Sequence, residues 1–169
     1  MKGFSIKTEI QEFDTFEQFA KDAAIGAEDL VLCGEHTFDK YIAPLNTGVQ
    51  TLFREKYGKG EPTDGMVDAI LDELRDKKYN RIIAVGGGTV IDIAKVVAVA
   101  SEKDRIDDLY DNVGNLKKYH PLIIVPTTCG TGSEVTDISV INRVSKGVKM
   151  GLANPAMLSL IHISEPTRL

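Results

Sequence analysis

Arg81-Ile82-Ile83-Ala84-Val85-Gly86-Gly87-Gly88-Thr89-Val90-Ile91-Asp92-Ile93-Ala94-Lys95 holds three signals in succession: a short apolar run, three glycines, and apolar residues at helical spacing. The run reads as a strand buried on both faces, and the residues from Thr89 to about Ser101 read as a helix. The same order returns at Leu122-Ile123-Ile124-Val125, which leads into Pro126-Thr127-Thr128-Cys129-Gly130-Thr131-Gly132-Ser133-Glu134. Upstream, Met66, Val67, Ile70, Leu71 and Leu74 recur three and four residues apart after Thr63 and Asp64, with Lys77 and Lys78 at the far end, where a helix dipole favours cations. Buried strands alternating with amphipathic helices predict an α/β fold, a parallel sheet flanked by helices.

Working outward, Phe4, Ile6, Thr8 and Ile10 alternate with polar neighbours and predict a first strand or edge ribbon. Asp14 and Glu17 have capping-box spacing ahead of a helix carrying Phe16, Phe19, Ala20 and Ala23, which Gly26 ends. Leu30-Val31-Leu32-Cys33 reads as another buried strand, residues 36–45 as a weaker helical stretch, and residues 49–53 as a further strand. Between Ile138 and Ala153 the pattern turns polar and strand-like around Ser145-Lys146-Gly147, which predicts a hairpin on the rim.

Composition narrows the function classes. The chain has 169 residues, enough for one domain with a sizeable core and short for two. Its net charge of -5, with no block of Lys or Arg, argues against nucleic acid and anionic lipid as partners. Cys33 and Cys129 are far apart and form no CxxC pair, so they suggest neither a disulfide framework nor a zinc site, and a reduced cytoplasmic setting is expected. Residues 1–14 alternate polar and apolar, and no run approaches the roughly 20 residues that span a bilayer, so neither a secretion signal nor a membrane anchor is expected.

Both glycine turns should lie beyond the carboxyl ends of parallel strands, where free N–H groups at helix starts meet anions. Three glycines allow positive φ and remove every Cβ that would hold a pyrophosphate away. In the second turn Thr127, Thr128, Thr131 and Ser133 place four hydroxyls within seven residues, which suits phosphate and ribose recognition. Each turn also admits a plain structural reading as a capped helix start, through Thr89 with Asp92 and through Thr131 with Glu134. Neither a GxGxxG run nor a P-loop Gly-Lys-Ser/Thr is present, which removes the kinase and GTPase readings.

Gly86–Lys95 and Pro126–Thr136 resemble the two cofactor signatures of the iron-containing alcohol dehydrogenase family. Gly34-Glu35-His36 and Met150–Ser159 look most like its branch acting on 4-hydroxybutyrate. The resemblance implies a Rossmann-like, dehydroquinate-synthase-like N-terminal domain over residues 1–158 that binds NAD. Gly86, Gly87 and Gly88 would pack on the pyrophosphate, with Thr89 and Asp92 beside it. Thr127, Thr128, Thr131 and Ser133 would line the diphosphate and nicotinamide-ribose end, and Lys149 falls near that ribose. Glu35 would accept from the adenosine ribose 2′-hydroxyl, one position after the Asp of many relatives; a solvated strand lysine and an exposed loop glutamate are the plain alternatives for these last two. The family also implies a cytoplasmic homo-oligomer acting on a small alcohol or hydroxy acid, here 4-hydroxybutyrate with succinate semialdehyde as product, or in other branches butanol, glycerol or maleylacetate.

Family members are expected to have a helical second domain in which one Asp and three His hold Fe2+ or Zn2+ as a Lewis acid over the nicotinamide. Here His36, His120 and His162 are widely separated with no ligand spacing among them, so no catalytic or metal residue is assigned, and His120 reads as an exposed loop residue. Residues 159–169, ending Ile161-His162-Ile163-Ser164-Glu165-Pro166-Thr167-Arg168-Leu169, do not resemble the family's continuation and read as a foreign tail from a cut reading frame. The chain alone is then expected to be inactive. Sequencing the genomic DNA past codon 160 should reveal an in-frame helical domain with paired histidines; a native stop codon in independent clones would rule this out.

Overall fold

A computed structural model describes residues 8–128, 130–159 and 161–164, the last four by their backbone. In chain order the elements are β1 (Glu9–Glu12), α1 (Phe16–Asp22), β2 (Asp29–Cys33), α2 (Glu35–Thr37), β3 (Gln50–Phe53), α3 (Asp64–Leu74), β4 (Arg81–Gly86), α4 (Gly88–Val99), α5 (Ile106–Asp111), β5 (Leu122–Pro126), β6 (Ile138–Arg143), β7 (Val148–Ala153) and β8 (Ile161–Ser164). α2 continues through a π turn, Phe38–Ile42, and a 3-10 turn, Ala43–Leu45, as the weak helical pattern of that stretch suggested. Among the described residues no helix is long and apolar enough to cross a membrane.

Six strands form one sheet in the order β1-β8-β5-β4-β2-β3, and every neighbouring pair is parallel. The central strands supply both of its cores. Leu30, Leu32, Ile82, Ala84, Leu122 and Ile124 face a cluster with α3, α4 and α5. Their neighbours in sequence, Val31, Cys33, Ile83, Val85, Ile123 and Val125, face a second cluster with Phe16, Phe19 and Ile42. Period-2 side chains with both faces covered explain why these strands read as unbroken apolar runs. β6 and β7 pair antiparallel as a separate two-stranded hairpin, turning at the 3-10 segment Val144–Lys146.

That hairpin is fastened to the helices rather than to the sheet. Buried Asp64, at the start of α3, accepts from the backbone of Ser145 at 3.0 Å. Tyr110 of α5 donates to the Met150 carbonyl at 2.8 Å. The buried Arg143 guanidinium pairs with Asp107 and stacks 4.3 Å from the Tyr110 ring centroid.

Several local expectations shift. The cap of α1 is Thr15, which accepts from Gln18 N at 3.1 Å, rather than Asp14, because Thr15 is the last extended residue before the helix. The left-handed residue that ends α1 is Ala24 rather than Gly26. The first strand is described at Glu9–Glu12; most of the expected Phe4–Ile10 run lies outside the described residues. α5, to which the sequence analysis assigns no element, is too short and acidic for its two buried residues, Ile106 and Leu109, to produce a visible period. The boundary drawn at residue 158 stands just before β8, whose backbone pairs with β1 and β5.

Ala24 holds φ at 47°, a region costly for a residue with a Cβ. Ala24→Gly should therefore raise stability by about 0.5–1 kcal/mol despite glycine's larger unfolded-state entropy. The readout is a higher urea midpoint with an unchanged denaturant slope.

Candidate dinucleotide-binding site

The order of the sheet locates a crevice. From β2 the chain moves outward to β3, then returns to lay β4 on the other side of β2, so the chain reverses direction across the sheet between β2 and β4. In open parallel sheets ligands sit beyond the carboxyl ends of the strands at such a reversal. Gly34 follows β2 there, and the first glycine turn follows β4. The second turn stands beside the first: Gly86 is in register with Pro126, and Thr127 N donates to the Gly86 carbonyl at 3.1 Å.

None of Gly86, Gly87 and Gly88 has positive φ, contrary to the expectation from the sequence; within the two turns the glycines with positive φ are Gly130, at 105°, and Gly132, at 65°. The first turn needs glycine for proximity. A Cβ at Gly86 would lie 2.7 Å from Val90 Cγ2, at Gly87 2.8 Å from Thr128 Oγ1, and at Gly88 3.2 Å from Thr131 Cγ2. The glycine run thus lets the two turns touch.

The capped-start readings do not form. α4 begins at Gly88 with Gly87 as its cap and no side chain closing it, so Thr89 lies inside the helix. The segment after the second turn is a 3-10 turn, Ser133–Val135, capped by left-handed Gly132 rather than by Thr131. First-turn N–H groups of a helix have no partner within it, so α4 presents uncapped donors at the crevice. Thr128 and Thr131 are exposed next to them, Thr89, Thr127 and Ser133 are partly exposed, and Cys129 lies outside the described residues.

The other expected residues are placed differently. Asp92 is buried, and its carboxylate accepts from Ser133 Oγ at 2.5 Å and Val140 N at 3.3 Å; burial pushes its pKa up against the pull of these donors. It is engaged by the second turn and the hairpin. Lys149 is exposed on β7 and pairs with Glu61 at 2.6 Å. Glu35 is exposed at the start of α2. His120 is half-buried rather than exposed, its ring 4.4 Å from that of Tyr79 at the opposite end of the sheet. A cleft of about 320 Å3 opens there between Arg75, Tyr79, Ser101 and His120, remote from the glycine turns.

Lys95 escaped the sequence reading. It is wholly buried, and its Nζ donates to the Ile138 carbonyl at 2.7 Å and to Thr136 Oγ1 at 3.2 Å. Burial pushes the amine down to about 8, against the attraction of Asp92, Asp137 and Glu134. A lysine inside the otherwise apolar Ile93–Val99 run, three residues after Asp92, was the available signal.

The iron-containing alcohol dehydrogenase family pattern fits residues 8–166. This chain belongs to that family. It is 42% identical over 166 residues to the 4-hydroxybutyrate dehydrogenase of Clostridium kluyveri, covering 98% of this chain and 44% of the relative. It is 32% identical over 108 residues to the NAD-dependent methanol dehydrogenase of Bacillus methanolicus, covering 63% of this chain and 28% of that one. Its fold is similar to that of sulfoacetaldehyde reductase from Bifidobacterium kashiwanohense, solved with NAD+, at a TM-score of 0.80 and 22% identity, over 98% of this chain and 46% of the other. The chain spans less than half the length of these relatives.

The amine of Lys95 falls to about 8 in the fold against 10.5 ordinarily, so between those values the unfolded chain holds more protons than the native one. The Lys95 contribution to stability therefore rises with pH through that window. Urea denaturation near pH 7 and near pH 10 should show the wild type gaining on Lys95→Met at the higher pH; a constant gap would refute a titrating buried amine.

Proposed function

We propose that this chain is the NAD-binding part of a metal-dependent alcohol dehydrogenase whose whole protein interconverts 4-hydroxybutyrate and succinate semialdehyde. The observation that carries the reading is the pair of abutting turns, Gly86–Thr89 and Thr127–Ser133, at the carboxyl ends of β4 and β5 with an uncapped helix start between them. Support for the substrate is the 42% identity, along nearly the whole chain, to a 4-hydroxybutyrate dehydrogenase.

In this reading the α4 amides and the Thr89 hydroxyl hold the pyrophosphate, and Gly86, Gly87 and Gly88 let Val90, Thr128 and Thr131 close in so that the second turn stands beside those donors. Thr127, Thr128 and Thr131 add hydroxyl donors toward the nicotinamide ribose. Ser133 is held by Asp92, which makes Asp92 a positioning residue for the second turn. Lys149 serves the nicotinamide-ribose end if its surface pair with Glu61 opens, a small cost for two exposed side chains. When bound, NAD would supply the hydride acceptor for oxidation of the alcohol to the aldehyde, with release of the hydroxyl proton.

Iron or zinc would polarise the alcohol oxygen when bound. The described residues do not fit such an ion, since no group of three His, Cys, Asp or Glu could hold one. No step is therefore assigned to it within this chain.

Titration with NADH, followed by nicotinamide fluorescence, should show saturable binding. Gly87→Val should abolish it, because a side chain there enters the space of Thr128. With 4-hydroxybutyrate, NAD and added Fe2+ or Zn2+ the chain should produce no NADH; turnover would overturn the assignment of chemistry to the rest of the protein, and absence of NADH binding would overturn the reading itself.

A further inference from the structure

The end of β2 receives a carboxylate from the neighbouring strand. β3 runs beside β2 with Phe53 in register with Cys33, and the chain then folds into the 3-10 segment Arg54–Tyr57. This carries the Glu55 side chain over Gly34: a Cβ built there would lie 2.6 Å from Glu55 Oε1 and 3.5 Å from its Cδ. Glu55 fills the volume that a side chain at position 34 would occupy. Its charge reaches the strand end too, since burial first and the Glu55 carboxylate second push the Cys33 thiol up to about 12.

The cations on either side of Glu55 are engaged elsewhere. Arg54 donates to the carbonyls of Gly58 and Gly60, and Lys56 pairs with Glu73. Glu55 itself is exposed. On the other flank of β2, Cys33 is in register with Val85, so Gly34 borders Gly86 and the first glycine turn. The carboxylate therefore stands over the strand end on the rim of the crevice where the chain reverses direction across the sheet.

We propose that Glu55 is a specificity-determining residue, its carboxylate accepting from the 2′-hydroxyl of the adenosine ribose and repelling a 2′-phosphate, so that the chain selects NAD over NADP. This rests on the dinucleotide reading above and moves the selecting carboxylate from Glu35, which starts α2, to a residue delivered by β3. A glycine at position 34 is what makes room for it. A carboxylate acceptor makes a stronger bond to a hydroxyl than a neutral amide does, and its charge is unfavourable beside a phosphate dianion.

The test is titration of the full chain, Glu55→Gln and Glu35→Gln with NADH and with NADPH, read by nicotinamide fluorescence. Glu55 is exposed, so Glu55→Gln should keep the wild-type urea midpoint. It should bind NADH about tenfold more weakly, the difference between a charged and a neutral acceptor. NADPH binding should hold or improve, and Glu35→Gln should keep the wild-type preference. An unchanged NADH-to-NADPH ratio in Glu55→Gln, or a collapse of that ratio in Glu35→Gln alone, would overturn the proposal. A wild-type chain that binds neither nucleotide removes the dinucleotide reading and this one with it, whereas binding with an unchanged ratio removes only this one.

Discussion

α4 lies between the sheet and the β6–β7 hairpin, and every residue from Val90 to Val99 is buried, Asp92 and Lys95 among them. A buried carboxylate and a buried ammonium are each costly unless their hydrogen-bonding capacity is met. Here the partners come from the segment that follows β5: Ser133 and Val140 satisfy Asp92, while Thr136 and Ile138 satisfy Lys95. Moving that segment would strand two charges in the core. The position of the second turn is thus set from beneath by the helix whose start forms the first turn, and the two sides of the crevice cannot drift independently.

The strands and long helices were legible because burial imposes a period. β2, β4 and β5 are covered on both faces, so they read as apolar runs, and α3 has one buried stripe. What was lost depended on contacts distant in sequence. α5 is a single-stripe fragment whose Arg105, Asp107 and Tyr110 make sense only against α3 and the hairpin. The reason for glycine at positions 86–88 was misjudged because sequence shows conformational freedom as an option but does not show Val90, Thr128 and Thr131 closing in. Glu55 was silent because its neighbour in space, Gly34, is twenty-one residues away in the chain.

Capping-box spacings behaved similarly. Thr89 with Asp92 and Thr131 with Glu134 have the right separation, yet neither pair caps a helix. In both cases the acidic member lies on the interior side of the turn: Asp92 reaches Ser133, and Glu134 keeps one buried carboxylate oxygen without a hydrogen-bond partner among the described residues. Spacing identifies residues that could meet along a helix; tertiary burial decides whether they do.

Charge then explains how such a site could hold a dinucleotide at all. Around the crevice the side-chain charges are predominantly acidic, with Glu35 and Glu55 exposed at the β2 end and Asp92, Glu134 and Asp137 near the second turn, while Lys95 is sequestered and Lys149 is tied to Glu61. On the proposed dinucleotide reading, a pyrophosphate there would meet backbone N–H groups and hydroxyls instead of ammonium groups. Those donors are fixed, short-ranged dipoles, aimed at one point and weak a few ångströms away. A lysine cluster strong enough to bind the pyrophosphate would also attract a phosphate on the adenosine ribose. On that reading, dipoles for the pyrophosphate and carboxylates for the ribose would separate the two tasks, so that affinity for the shared diphosphate need not weaken discrimination at the 2′ position.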